Sequence, residues 1–491
     1  MEDAGGHAGG GAITLTSQAG APFPFTVTIT VATDPNNPQL SFKVTGVDPV
    51  SRSLKTRDYH LAGREHKSYT QLFGSLARDF GCRPPRKRLQ TPRPASGAKY
   101  RPLITKNLGP RVLYGYGDPA VLSVRDNHGG RSWYYLLVTS NDAPESFPII
   151  RSPDLVSWEL VGFVFPEGRK PKWAVDGERV SDYWAPEMHF VGGEFRVYFV
   201  ARDKNSHSLS IGVAKSAAPE GPFAAAEEPL LSGNVIDPHL FVEDDGAAFL
   251  YWKEDNNDIW PSRLNALFYE HPQLVAELFP LKEDQVTSSL MHTLWPWIRA
   301  LEPMERFFVQ HTLIEAVTCE FSAFRGLLAG SCHERRGADI EDAVRDILRA
   351  MKTPVYARRV SPDGASLVGE RTKVIENDQV WEAHLIEGVW LTKQRGRYYL
   401  FYAGNDFSTD LYGVGVAIAD SPLGPFRKMA GPLLGSTADW HGPGHPSVAT
   451  GPEGEPLLFL HAFFPGRTGY KEFRALLAVS IAFEPDRVLL R

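Results

Sequence analysis

Apolar and polar positions alternate from Phe25 to Val47. Phe25, Val27, Ile29 and Val31 share one side, and Leu40, Phe42 and Val44 resume it after the turn-rich stretch Asp34-Pro35-Asn36-Asn37-Pro38. A period of two interrupted by Asp, Asn and Pro predicts a β-hairpin. Beyond about Arg111 a longer period takes over. Five times the chain runs through an opening strand, a turn, an aromatic-rich central strand and a third strand, often with a Ser-Pro or Gly-Pro turn before the last. The central strands are Trp133 to Val138, Phe195 to Val200, Ala247 to Trp252, Tyr398 to Ala403 and Leu457 to Ala462. The third strands are Phe147 to Ser152, Leu209 to Ala214, Val355 to Val360, Tyr412 to Ala417 and Ala475 to Ser480.

Four strands per unit and five units predict an all-β fold, a five-bladed β-propeller that protects its sheet edges by closing on itself. The third unit is interrupted between Trp260 and Pro354, where Val286, Leu290, Leu294 and Ile298 recur at helical spacing. Ile340, Val344, Ile347, Leu348 and Met351 form a second apolar stripe, behind Asp339 read as a helix cap. The predicted organisation is an N-terminal extension over 1–110, a propeller over 111–260 and 353–491, and a helical insertion over 261–352 in the third blade. The extension consists of the hairpin and an arm from Cys82 to Pro102 containing Arg83-Pro84-Pro85-Arg86-Lys87-Arg88. Such an arm cannot hold a regular ladder and reads as a solvated linker. Trp295, Trp297, Phe307, Phe308 and Phe321 read as core of the insertion, with a wall beside the substrate or a homo-oligomer contact as alternatives.

Composition narrows the function. Hydrophobic residues make up 43% and charged residues 22% of 491, which are globular values, and no apolar run is long enough to cross a bilayer. A net charge of -6 supplies no basic excess for a phosphate backbone, so neither nucleic acid nor membrane is an expected partner. Cys82, Cys319 and Cys332 are odd in number and lack zinc-ligand spacing. With a Gly-rich N-terminus lacking an apolar h-region, they lead to an expected cytoplasmic location, secretion being left open.

Acidic residues on opening strands matter in a propeller because those strands converge on the axis. Asp118 lies in Tyr116-Gly117-Asp118-Pro119-Ala120, Asp237 in Val235-Ile236-Asp237-Pro238-His239, and Glu387 in Leu385-Ile386-Glu387-Gly388-Val389-Trp390. Asp118 and Asp237 are about two repeats apart. Asp237 and Glu387 are one repeat apart once the insertion is set aside, which predicts three carboxylates at equivalent blade positions. Two carboxyls across a cleft can divide glycoside hydrolysis between a proton donor and a base, and a third can tune them. Each Asp-Pro alone is more simply a turn-former bonding its own backbone; the combination carries the functional reading.

At these residues the chain resembles glycoside hydrolase family 43, the arabinofuranosidase and xylosidase group. The resemblance rests on Gly117-Asp118-Pro119, Trp184-Ala185-Pro186-Glu187, Ile236-Asp237-Pro238 with Asp244-Asp245-Gly246, Glu387-Gly388 before Tyr398-Tyr399-Leu400-Phe401-Tyr402, and Gly442-Pro443-Gly444-His445. It implies Asp118 as general base, Glu387 as general acid and Asp237 as the residue that raises the acid's pKa, in an inverting reaction with no required cofactor. It implies Arg474 beside the base and His445 near the axis, where some members hold a structural calcium through water; by itself His445 reads as a hydrogen-bonded core histidine. Trp184 is a candidate sugar platform or pocket wall, with core packing as the alternative, and Glu187 reads as structural. Val389 departs from the family pattern, which has Pro after the acid motif. The expected activity is exo-acting release of terminal α-L-arabinofuranosyl or β-D-xylosyl residues from an oligosaccharide or aryl glycoside. An endo-arabinanase and a non-catalytic carbohydrate-binding propeller are the alternatives.

Overall fold

The structure is a computed structural model describing residues 11–31, 39–61, 63–85, 99–125, 132–177, 182–331 and 338–491. The chain divides into two compact units, one formed by residues 1–89 with 256–351 and the other by 90–255 with 352–491.

The first unit joins segments expected to be separate. Its antiparallel sheet runs β1 (Ala12–Thr16), β2 (Phe25–Val31), β3 (Leu40–Val47), β4 (Leu54–Leu61), so the expected hairpin is its central pair, with Phe25 opposite Gly46 and Val31 opposite Leu40. The turn between these two strands lies outside the described residues. Phe25, Val27, Ile29, Leu40, Phe42 and Val44 are buried, as the alternation requires. Helix α1 (His66–Phe80) follows and buries Tyr69, Leu72, Phe73, Leu76 and Phe80 at helical spacing.

The inserted segment supplies α2 (Ile259–Glu270), α3 (Leu274–Leu278), α4 (Lys282–Ile298), α5 (Pro303–Thr318), α6 (Phe321–Ser331) and α7 (Ala338–Ala350). Val286, Leu290, Leu294 and Ile298 are all buried on α4. Asp339 is not a cap: it lies inside the first turn of α7 and is 75% exposed. Phe307, Phe308 and Phe321 are buried, and Trp297 packs edge-on against Phe42 of β3, so these aromatics serve the unit's own core. Arg83 corrects the reading of the arm as solvated. It is 2% exposed and pairs through two nitrogens with Asp284 of α4, at 2.5 and 3.0 Å, because a buried guanidinium needs a carboxylate. Arg86 to Arg88 and Cys332 lie outside the described residues.

The second unit is built from five antiparallel sheets. A single strand, β5 (Arg101–Ile104), precedes them. The first sheet holds β6 to β9 (Ala120–Arg125, Ser132–Leu137, Ser146–Ser152, Glu159–Phe165). The second holds β10 to β14 (Trp184–Val191, Glu194–Arg202, Leu209–Ser216, Ala224–Ala225, Leu231–Ser232). The third holds β15 to β18 (Val235–Val242, Ala248–Glu254, Pro354–Val360, Leu367–Glu376), with the inserted helices between its second and third strands. The fourth holds β19 to β22 (Ile386–Gln394, Arg397–Gly404, Gly413–Ala419, Arg427–Lys428), and the fifth β23 to β26 (His441–Thr450, Pro456–Phe463, Arg474–Glu484, Arg487–Leu490). Strand β5 pairs with β25, so the boundary expected at residue 110 falls too late: Arg101 to Ile104 belong to this unit.

An apolar layer lies between each sheet and the next, and the layer of Val121, Tyr134 and Leu136 with Leu457, Phe459 and Leu476 joins the first sheet to the fifth. Both faces of each sheet are therefore covered, which is why the central strands read as apolar runs. Among the described residues no helix is long and apolar enough to cross a membrane.

Candidate active site

Five backbone positions organise the centre of the second unit. Asp118 just ahead of β6, Ala185 in β10, Asp237 in β15, Gly388 in β19 and His445 in β23 all have positive φ, from 42° to 58°. In β10, β15, β19 and β23 the pairing register shifts across this point. A bulge of this kind re-aims the side chains beside it, and a non-glycine residue held there costs on the order of 1–3 kcal/mol that the surroundings must offset. Asp118 and Asp237 occupy the left-handed position themselves. Glu387 stands one residue ahead of it, where β10 has Trp184, so the expected equivalence of the three carboxylates holds for two of them only. Gly388 takes the left-handed position in β19, and a Cβ there would lie 2.8 Å from His445 Nδ1.

Asp118 is surrounded by donors. Arg474 Nη1 donates to its Oδ1 at 2.9 Å and Nη2 reaches Oδ2 at 3.4 Å, while the Thr139 hydroxyl donates to Oδ2 at 2.5 Å. His445 Nδ1 is 3.4 Å from Oδ1. Burial would raise this carboxyl's pKa, but Arg474, with His445 and Thr139, overrides it and holds the group well below the usual carboxylate range. The Asp118 backbone N–H donates to His461 Nδ1 at 3.1 Å, and burial keeps His461 neutral.

The other two carboxylates are pushed the opposite way. Asp237 is 8% exposed; burial, against the pull of Lys253 and with Asp118 adding to it, pushes its carboxyl up to about 7. Its Oδ2 accepts the Gly388 N–H at 2.8 Å, which ties it to the residue after Glu387. Glu387 is 7% exposed, and burial, opposed by Lys253 and assisted by Asp237, raises its pKa. The Tyr412 hydroxyl donates to Glu387 Oε1 at 2.8 Å, Lys253 Nζ lies 3.1 Å from Oε2, and the Tyr412 ring stacks on His461. One carboxyl held ionised close to two driven toward the neutral form is the electrostatic division that acid–base chemistry needs. Trp184 is half-buried at the start of β10 and donates from Nε1 to Asn141 Oδ1 at 3.1 Å; the next residue's N–H donates to Thr139, which holds Asp118.

The sequence profile described as Glycosyl hydrolases family 43 matches residues 112–276 and 344–489. The chain belongs to this family. Family 43 relatives include the xylosidase/arabinosidase 43A of Humicola insolens, 28% identical over 257 residues, which are 52% of this chain and 60% of that enzyme. The xylosidase/arabinosidase of Bacteroides ovatus is 23% identical over 303 residues, 62% of this chain and 71% of that one. Among solved structures, a thermostable family-43 glycoside hydrolase superposes with a TM-score of 0.52 at 25% identity, over 77% of this chain and 93% of that one. The chain thus spans about 60% of the length of the first of these relatives.

Within this family 43 site, sequence reasoning passed over Thr139, Lys253, Tyr412 and His461. Lys253 and His461 carried a signal, a basic residue ending or interrupting an apolar central strand; Tyr412 read as an ordinary strand residue, and Thr139 falls just past the central strand Trp133 to Val138. Glu187, His189 and His239 bring ligand atoms together as a metal site would. The hydrogen bonds read otherwise. Leu391 N–H donates to His239 Nε2 at 2.9 Å, so the His239 proton sits on Nδ1 and is donated to Glu187 Oε2 at 2.9 Å, leaving no lone pair for a metal. His445 faces Asp118 at 3.4 Å and also acts electrostatically on Glu187.

Proposed function

We propose that this chain is an inverting glycoside hydrolase that releases terminal α-L-arabinofuranosyl or β-D-xylosyl residues from oligosaccharides, its five sheets serving as the blades of a five-bladed propeller. The observation that carries the reading is the opposite treatment of carboxylates in one site. Arg474 holds Asp118 ionised, as a general base requires, while burial favours a proton on the Asp237 and Glu387 pair, as a general acid requires. Asp118 takes a proton from water, the water oxygen attacks the anomeric carbon, and the glycosidic C–O bond breaks as Glu387 gives its proton to the departing oxygen. Asp237 orients Glu387 through Gly388, and whenever Asp237 is ionised its negative charge favours the acid's protonated form. Trp184 forms one wall of the sugar site. The substrate class follows the names of the Humicola insolens and Bacteroides ovatus relatives.

Turnover of aryl and natural arabinofuranosides and xylosides tests the activity. Glu387→Ala is expected to lose turnover of unactivated disaccharides, and full retained activity overturns the acid assignment. Proton magnetic resonance of the first-formed anomer is expected to show inversion; retention refutes the single-displacement mechanism. On linear arabinan, single sugars support exo action, whereas longer fragments favour the endo reading.

A further inference from the structure

Lys253 ends the apolar run of β16 and is 1% exposed. A lysine ammonium in that position is strongly disfavoured unless an anion compensates it. Its Nζ is ion-paired with Glu387 Oε2 at 3.1 Å, and no group among the described residues offers it a well-aligned hydrogen bond. Asp237 from β15 and Asp255 just past β16 also act on it electrostatically, and the His384 ring ahead of β19 feels its charge. Glu387 is faced in turn by Lys253, Asp237 and the Tyr412 hydroxyl; Asp237 is faced by Lys253, Asp118, Asp255 and the Gly388 N–H.

The charge balance of this group decides its protonation. With Lys253 positive, one ionised carboxyl among Asp237 and Glu387 makes the trio neutral, and a second would leave a net buried charge. Without Lys253, both carboxyls would hold their protons to higher pH. Resting on the assignment of Glu387 as acid, we infer that Lys253 is a positioning residue, the counter-ion that limits Asp237 and Glu387 to one shared proton and so sets where the hydrolase stops working as pH rises. The contacts suit this division. Glu387 accepts from Tyr412 and pairs with Lys253, whereas Asp237 has a single backbone donor, so the shared proton rests on Asp237 in the free protein and passes to Glu387 for the leaving group.

The test is the basic limb of the kcat/KM profile on a natural disaccharide, which reports loss of the acid's proton from the free enzyme. An opposite charge at this range lowers a carboxyl pKa by about 1–3 units, so Lys253→Met is expected to move the basic limb up by about that many pH units. A limb left in place overturns the proposal. A second measurement does not depend on turnover. Lys253→Met and Glu387→Gln should each lower Tm, and the double variant should lose less than the sum, because neither charge is then left alone. Additive losses, or a double variant that does not fold, overturn the counter-ion role. Failure of the catalytic reading is distinguishable, since it shows as turnover retained by Glu387→Ala while the stability cycle still reports the pairing.

Discussion

Gly117→Ala separates the chemistry of Asp118 from the integrity of the fold. A Cβ at position 117 would lie 1.8 Å from both Cζ and Nη2 of Arg474, an overlap no real contact tolerates. What it strikes is the far end of a flexible side chain, so the guanidinium swings away and the backbone stays. Asp118 then loses the ion pair at 2.9 Å but keeps Thr139 and His445. Two unit charges at that distance with an effective dielectric constant of about 20 attract by roughly 6 kcal/mol, an upper bound because Arg474 is itself buried. Carboxyls beside arginine are typically lowered by about 1–3 pKa units. A general base works only when deprotonated, so raising its pKa moves the acidic limb of kcat/KM upward by about 1–3 pH units. The measurement is a pH–rate profile of both forms with Tm recorded alongside. An acidic limb at its original pH in Gly117→Ala would refute the claim that Arg474 keeps Asp118 ionised, and so would a wild-type limb in Arg474→Met.

Two further outcomes follow from buried charge. Asp237, pushed up to about 7 by burial from a reference of 3.8, keeps its proton in the folded chain where the unfolded carboxyl has lost it. The folded state then binds more protons between those values, so stability falls as pH rises from about 4 to about 7; Asp237→Asn should flatten Tm over that window, and an unchanged slope would refute it. In the first unit, Arg83→Ala leaves Asp284 buried without its cation and is expected to destabilise by about 3–5 kcal/mol in chemical denaturation. Replacing both by Met and Leu should cost less, and an equal cost would show that packing, not charge, holds Arg83.

The repeated strands were legible because each sheet is covered on both faces, so stretches such as Val197 to Ala201 carry apolar residues at every position. The same coverage concealed Lys253 and His461, which a strand reading treats as exceptions. β4 was missed because only Leu61 of its eight residues is fully buried. α1 had a legible stripe, Tyr69, Leu72, Phe73, Leu76 and Phe80, hidden by reading the whole stretch before the arm as extension. The union of residues 1–89 with 256–351 was not legible at all. It rests on contacts such as Arg83 with Asp284, 201 residues apart, and local periodicity carries no information about which distant segments meet. The phase of the three carboxylates was not legible, because a register shift breaks the simple count of residues between repeats.

That phase explains how one repeated backbone offers several chemistries. The five left-handed positions carry Asp118, Ala185, Asp237, Gly388 and His445, and the positions before them carry Gly117, Trp184, Ile236, Glu387 and Gly444. Three of these ten are glycine, and each leaves room for a side chain from elsewhere. Arg474 fills the space beside Gly117, Tyr412 that beside Gly444, and His445 that beside Gly388. Each incoming group touches a carboxylate of the site: Arg474 and His445 meet Asp118, and Tyr412 meets Glu387. The glycines are therefore as much part of the electrostatics as the acids. A methyl group at any of the three would displace the partner that sets a carboxylate's charge, while leaving every acidic residue in the sequence unchanged.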